Sequence, residues 1–254
     1  MSMNTVNERI AALRAAMEAQ GCAAYIIPTG DPHSSEYLPT HYNSREYFSG
    51  FTGENSNLVV TRTGSALWAD GRFFVQAEKQ LAGTEIELQK MGEPGVPTVE
   101  EYCANALNEG EALGLCGFTA ACGLVRSLQK ALDAKHCTIK TLHLEDELWT
   151  EGRPELPATP AWILSKEYAG FSPAEKLDQL RTKLKELGCT AQFVGKLDNL
   201  AWLLNLRAMD IHCTPYALAF CYVTPDKATL FINTARVKPE AAAELKENGV
   251  ELAE

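Results

Sequence analysis

The residues with the greatest potential for chemistry lie in a short polar loop, DPHSSEY at residues 31–37, which follows an apolar stretch. The loop combines carboxylates, hydroxyls, an imidazole and a phenol, and loops that follow buried strands often carry binding groups. Asp31, His33, Glu36 and the nearby His41 could supply oxygen and nitrogen ligands to a metal ion. A loop so rich in proline and acidic residues is more often a structured turn. The turn is therefore the favoured interpretation.

A second group of unusual residues occurs where a predicted strand meets a predicted helix. In the segment WADGRFFVQA, residues 68–77, an Asp-Gly turn places Arg72 in the first turn of the helix, where the helix dipole favours anions. Arg72 could form a structural ion pair with Asp70, or it could bind a carboxylate elsewhere. Both alternatives stay open at the level of sequence. A third segment, FSGFTG at residues 48–53, combines glycine with aromatic residues.

Common catalytic motifs are absent from the sequence. It contains no H-E-x-x-H, G-x-S-x-G, G-x-x-x-x-G-K or G-x-G-x-x-G, so zinc-protease, serine-hydrolase, nucleotide-binding and dinucleotide-binding functions have no local support. The five histidines are scattered along the chain, and none has a second ligand at a convincing spacing. We therefore predict no catalytic residue, no metal site and no cofactor in this chain.

The composition limits the classes of partner. The chain has 33 Asp and Glu against 23 Lys and Arg, a net charge of −10, which repels phosphate backbones and argues against nucleic acid as a partner. No secretory signal and no apolar run of membrane-spanning length is present, which predicts a soluble, cytoplasmic protein without membrane contact. The eight cysteines form no C-x-x-C pair and are interpreted mainly as buried thiols.

The periodicity of apolar residues predicts an α/β domain with a mixed sheet over residues 1–150. A helix carrying Ile10, Leu13 and Met17 ends at Gly21 and leads into a buried strand. Further strands are predicted around residues 57–61, 66–69, 86–89, 113–116 and 138–142, alternating with helical patterns. Residues 151–165 are predicted to form a linker, because the stretch contains three prolines and a glycine within ten residues.

The remainder of the chain repeats the beginning. ERIAALR at residues 8–14 recurs as EKLDQLR at residues 175–181, and the same offset aligns Gly21 with Gly188. A slightly shorter offset aligns Arg72 with Arg236. We infer two copies of one α/β unit. The second copy, at residues 166–254, is expected to be truncated after its fourth strand, which would leave the sheet half-built and predicts a longer gene product.

Four segments resemble the N-terminal half of three-domain aminopeptidase P enzymes of the creatinase and prolidase superfamily. They are the segments described above at residues 31–37, 48–53 and 68–77, and AWLLNLR at residues 201–207. The resemblance implies tandem creatinase N-terminal-type domains with a ribonuclease H-like sheet, ahead of a pita-bread catalytic domain that this chain lacks. In the family, two metal ions, usually manganese and sometimes zinc, are held by residues of that missing domain. This chain alone is therefore expected to be inactive.

The resemblance also implies a role for the N-terminal domains. In relatives they form a homodimer contact and narrow the approach to the active site, which accepts short peptides with proline at the second position. It implies that Arg72 faces the substrate channel, with His33, Glu36, Tyr37 and Arg45 as further candidates for its rim. Two alternatives remain: a stand-alone non-catalytic association module, and a creatinase-like hydrolase of a small guanidino acid.

Overall fold

The computed structural model describes residues 5–254, and contacts within the chain divide it into two compact units. The first unit comprises the residues up to Pro32 together with Thr40–Pro154, and the second comprises His33–Pro39 and Glu155–Glu254. The predicted α/β class with mixed sheets is confirmed in both units. The polar loop after the first strand belongs to the second unit, which the sequence analysis did not anticipate.

The first unit alternates strands and helices as the periodicity predicts. Its strands are β1 (Ala24–Pro28), β2 (Asn57–Thr61), β3 (Ser65–Ala69), β4 (Ile86–Lys90), β5 (Ala112–Leu115) and β6 (Thr138–Thr141). Its helices are α1 (Val6–Ala19), α2 (Ser44–Ser49), α3 (Phe74–Gln80), α4 (Val99–Ala106), α5 (Cys122–Leu132) and α6 (Leu144–Leu148).

These strands form one six-stranded sheet in the order β4-β3-β2-β1-β5-β6. β1 is antiparallel to β2 and parallel to β5, and all five of its residues are buried. Helices α1, α3 and α6 contribute to the apolar core on one face of the sheet, and α4 and α5 to the core on the other. Burial on both faces explains why the β1 sequence is continuously apolar instead of alternating.

The second unit has a smaller sheet and one apolar core. Its strands are β7 (Trp162–Ile163), β8 (Gln192–Val194), β9 (Leu206–Arg207), β10 (Phe220–Val223), β11 (Ala228–Phe231) and β12 (Val250–Ala253). Its helices are α7 (Lys166–Ala169), α8 (Pro173–Glu186), α9 (Leu197–Leu204) and α10 (Pro239–Glu247).

The two units share local details that support the inferred duplication. The order β12-β11-β10-β8 repeats β4-β3-β2-β1 with the same strand directions. Thr5 caps α1 through a capping box with Glu8, and Ser172 caps α8 in the same way with Glu175, which satisfies backbone N–H groups that a helix start leaves open. Residues 5–254 contain no counterpart of β5 and β6 in the second unit, and the expected truncation of the second copy stays a prediction.

The proline-rich segment predicted as a linker differs in extent from the structure. From Glu155 onward it belongs to the second unit. Ala161 is fully buried, and β7 pairs with β9. Proline does not prevent this arrangement, because the three prolines precede β7 and leave its backbone N–H groups free to pair.

None of the helices in residues 5–254 is both long and apolar enough to cross a lipid bilayer. All eight cysteines are free thiols. Five of them are buried as predicted, whereas Cys122, Cys189 and Cys213 are exposed.

Candidate functional site

The most chemically varied concave surface is a cavity of about 250 Å³ in the second unit, which we name the loop cavity. It is formed where the polar loop meets the start of α9 and the segment before β10. It is lined by His33, Ser34, Ser35, Glu36, Tyr37, Lys196, Leu197, Asp198, Ile211, Thr214 and Tyr216. The structure thus brings together three of the predicted site residues, His33, Glu36 and Tyr37.

His33 is a fixed wall of the loop cavity. Its ring is buried and stacks on Phe220 with 4.3 Å between ring centroids. Its Nδ1 lies 2.9 Å from the carbonyl oxygen of Gly195, so Nδ1 carries the proton and donates it. The stacking and the hydrogen bond together hold the polar loop beside the start of α9.

Charged side chains of both signs surround the cavity. Glu36, Lys196 and Asp198 are exposed, and an Asp198 carboxylate oxygen accepts a hydrogen bond of 2.8 Å from the N–H of Asn199. No ion pair joins these three side chains to one another or to other charged groups in residues 5–254. The cavity therefore presents one cation and two carboxylates that form no ion pair with one another.

The backbone beside the cavity is strained at two non-glycine positions. Ser34 has φ of 54° and Cys213 has φ of 56°, in the left-handed region that costs energy for residues with a Cβ. Such conformations persist where the surrounding structure imposes them, and they occur frequently at ligand-binding sites.

Arg72 lies in the first unit, just before α3, and forms the ion pair with Asp70 that was one of its two predicted alternatives. Its Nε and Nη2 donate to the two carboxylate oxygens at 3.0 and 2.8 Å. These bonds hold the pKa of Asp70 below its usual range. The Arg72 side chain is 64% exposed, so pairing leaves much of it accessible to solvent. Its expected role in a substrate channel stays a prediction.

Arg45 occupies a different environment from the surface rim expected for it. The side chain is buried in the first unit, and its guanidinium donates to the backbone oxygens of Phe51 and Gly53 and to the Thr29 hydroxyl. Burial lowers its pKa to about 10. Because its donors bind backbone of the FSGFTG segment, Arg45 stabilises that turn instead of lining a surface of the unit.

A buried carboxyl that the sequence analysis missed lies in α6. Glu145 is 3% exposed, and its Oε2 accepts a hydrogen bond from the Tyr25 hydroxyl on β1. Its other oxygen, Oε1, has no hydrogen-bond partner in the part of the chain that the structure describes. Burial raises the pKa of Glu145 to about 7. No local pattern signals this contact, because Glu145 follows Tyr25 by 120 residues.

The two arginines aligned by the duplication have diverged. Arg236 forms an ion pair with Asp210, and their side chains are 4% and 0% exposed, whereas the Arg72 pair is at the surface. The Asp210 carboxylate also accepts hydrogen bonds from the Thr159 hydroxyl at 2.7 Å and the Leu218 N–H at 2.8 Å. These bonds join three segments of the second unit.

A metal centre does not fit the residues that the structure describes. In residues 5–254, no group of three or more His, Cys, Asp or Glu side chains is arranged to hold a metal ion. The acidic loop considered as a metal site is divided between the units, with Asp31 and His41 in the first and His33 and Glu36 in the second.

Two cavity residues, Lys196 and Asp198, were not among the predicted site residues. The available signal was their place directly after a strand and at the start of a helix, which is where binding groups are often found. The duplication aligns the end of β8 with the end of β1, so both strands are followed by polar residues that could have been considered together.

Comparisons with known proteins agree with the resemblance seen in the sequence. Residues 9–145 match a family model described as the creatinase/prolidase N-terminal domain, and residues 152–254 match a second model with the same description. Aminopeptidase P2 of Arabidopsis thaliana is 38% identical over 252 residues, which cover 97% of this chain and 35% of that protein. A probable Xaa-Pro aminopeptidase P of Pyricularia oryzae is 35% identical over 99% of this chain and 41% of that protein.

A solved structure shows the same similarity in three dimensions. An X-prolyl aminopeptidase from Caenorhabditis elegans, described as a cytosolic enzyme with a di-nuclear active site, matches with a TM-score of 0.93 and 31% identity. The match covers 98% of this chain and 42% of that chain. The chain therefore spans well under half the length of these relatives and corresponds to their N-terminal part.

Proposed function

This chain belongs to the creatinase/prolidase N-terminal domain family, and from this we propose that it is the N-terminal, non-catalytic part of a Xaa-Pro aminopeptidase. The observation that carries the proposal is the similarity to the nematode enzyme over 98% of the chain with a TM-score of 0.93. The longer enzyme would remove the residue that precedes proline from short peptides.

The chemistry would be supplied by residues beyond those described. Two divalent metal ions, manganese or zinc, would activate a water molecule and polarise the scissile carbonyl. Residues 5–254 provide no cluster of ligands for such ions. The contribution of this chain is therefore to bind, orient and select, not to carry out the bond cleavage.

Two surfaces of the chain suit that contribution. The loop cavity carries charged groups of both signs, and Arg72 presents a largely exposed guanidinium held in place by Asp70. A planar group with five donors suits a carboxylate or a peptide carbonyl. We further propose that the longer enzyme is a cytoplasmic homodimer in which these domains restrict access to short peptides.

The test compares this chain with the protein encoded by the complete gene. With manganese added, the purified chain should release no N-terminal residue from a peptide such as Arg-Pro-Pro, because it lacks the ligand set. The longer protein should release it, and a chelator should abolish the reaction. Metal-dependent release by this chain alone, surviving repurification, would contradict a non-catalytic role. A longer protein inactive on Xaa-Pro peptides would contradict the proposed activity.

A further inference from the structure

The loop cavity has the size of a small-molecule site. At about 250 Å³ it is slightly smaller than typical drug-sized pockets, which begin near 300 Å³, so it can hold one or two amino-acid residues. Its apolar surface comes mainly from the rings of Tyr37 and Tyr216, behind which Leu197 and Ile211 are almost completely buried. An aliphatic side chain of matching size would fit against these groups.

The charges around the cavity suit a ligand with both an anionic and a cationic group. Several lysines of the second unit pair with carboxylates, as Lys166 does with Glu175 and Lys227 with Glu251, whereas others, such as Lys185, form no ion pair within residues 5–254. Lys196 makes no such pair in residues 5–254, although Glu36 and Asp198 line the same cavity. A ligand carboxylate beside Lys196 and a ligand ammonium beside the two acids would satisfy all three groups at once.

Contacts within the chain fix the walls of the cavity. His33 is held by Phe220 and Gly195. Two further lining residues, Ile211 and Thr214, form an isolated β-bridge with a backbone hydrogen bond of 3.1 Å. A site that is held in shape before binding loses little conformational entropy when the ligand enters.

From these three features we propose that the loop cavity binds an apolar zwitterionic α-amino acid, either free or as the two ends of a dipeptide. Lys196 binds the carboxylate, Glu36 and Asp198 bind the ammonium group, and the apolar wall receives the side chain. Because the charges are solvent-exposed, affinity is modest, with a dissociation constant on the order of 1 mM. The inference rests on the cavity alone and does not depend on the proposed peptidase function.

The experiment is a titration of the 15N-labelled chain followed by amide chemical shifts. Four probes separate the charges and the sources: L-leucine, leucine amide without the carboxylate, N-acetyl-leucine without the ammonium group, and the dipeptide Leu-Pro. We expect shifts of the amides around Lys196 and Glu36 with leucine or Leu-Pro, and weaker binding of both capped analogues by about two- to fivefold, the effect of one exposed charge contact. Higher ionic strength should weaken binding.

Variants assign each contact. Lys196→Gln should weaken leucine about two- to fivefold and remove its advantage over leucine amide. Asp198→Asn should instead reduce the advantage of leucine over N-acetyl-leucine, because Glu36 remains to bind the ammonium group, and Glu36→Gln combined with Asp198→Asn should remove it. Lys185→Gln, an exposed lysine in the last turn of α8, is the matched control and should change nothing. All four residues are exposed, so folding, checked by the spectrum of the free variant, should be preserved.

The outcomes separate the possibilities. Tighter binding of leucine than of Leu-Pro identifies a free amino acid as the ligand, and the reverse identifies a peptide. Absence of shifts at the cavity amides, or equal binding of leucine and both capped analogues, would overturn the proposal. Neither negative result would bear on whether the longer protein cleaves Xaa-Pro peptides.

Discussion

The substitution Glu145→Gln tests whether a buried carboxyl makes the first unit sensitive to pH. Glu145 is 3% exposed, and the Tyr25 hydroxyl donates to one of its oxygens. The pKa of Glu145 is raised from 4.5 to about 7, and burial is the largest cause. The hydrogen bond from Tyr25 acts in the opposite direction and lowers the pKa. Burial disfavours the ionised form because the core cannot solvate its charge.

The sign of the effect follows from the two pKa values. Below pH 4.5 the folded and unfolded states both hold the proton, so the carboxyl has no influence through ionisation. Between pH 4.5 and 7 the unfolded state releases its proton more readily, and the folded state therefore loses stability as pH rises. Above pH 7 the loss is constant at about 3 kcal/mol, since one pKa unit corresponds to about 1.4 kcal/mol.

Glutamine removes this titration while keeping an oxygen for the Tyr25 hydroxyl. Its amide nitrogen would occupy the place of Oε1, which has no hydrogen-bond partner in residues 5–254. An unsatisfied buried donor costs about 1–2 kcal/mol. We therefore expect the variant to be less stable than the parent by about 1–2 kcal/mol at pH 4.5, and more stable by about 1–2 kcal/mol at pH 8.

Urea unfolding across this pH range measures the difference, with hydrogen exchange of peptides from β1 and α6 reporting the first unit separately. Glu147→Gln is the matched control, because Glu147 lies exposed in the same helix. The control should show no change of sign between pH 4.5 and 8. A Glu145→Gln difference that stays constant over the range would refute the assignment of a raised pKa to this carboxyl.

Two further substitutions test the arginine pairs. Asp210→Asn leaves Arg236 buried without a counterion and should lower the free energy of unfolding of the second unit by about 3–5 kcal/mol, measured in urea. A decrease as small as that caused by Asp198→Asn, at an exposed residue, would contradict a buried, coupled pair. Arg72→Ala removes an exposed pair and should cost less than about 1 kcal/mol of stability. In the longer protein the same change should lower kcat/KM by an amount equivalent to about 1–3 kcal/mol, and unchanged kinetics would remove Arg72 from the substrate channel.

The sequence alone predicted the features that depend on neighbouring residues. The helix that ends at Gly21 and its repeat that ends at Gly188 could be recognised because glycine commonly ends a helix. In the structure both glycines have a left-handed φ of 67°, a conformation that glycine adopts without strain. The strands of the first unit were predictable because apolar runs and turn residues alternate along the chain. The similar order of these local signals also revealed the duplication and, through four motifs, the family.

The tertiary structure decided which distant residues meet. The loop His33–Pro39 follows a strand of the first unit and yet belongs to the second, where it forms a cavity with Lys196 and Asp198. Arg45 is buried and Glu145 meets Tyr25. None of these outcomes has a local signature, because burial and pairing between residues far apart in sequence depend on how whole elements pack, whereas caps, turns and periodicity depend on a few adjacent residues.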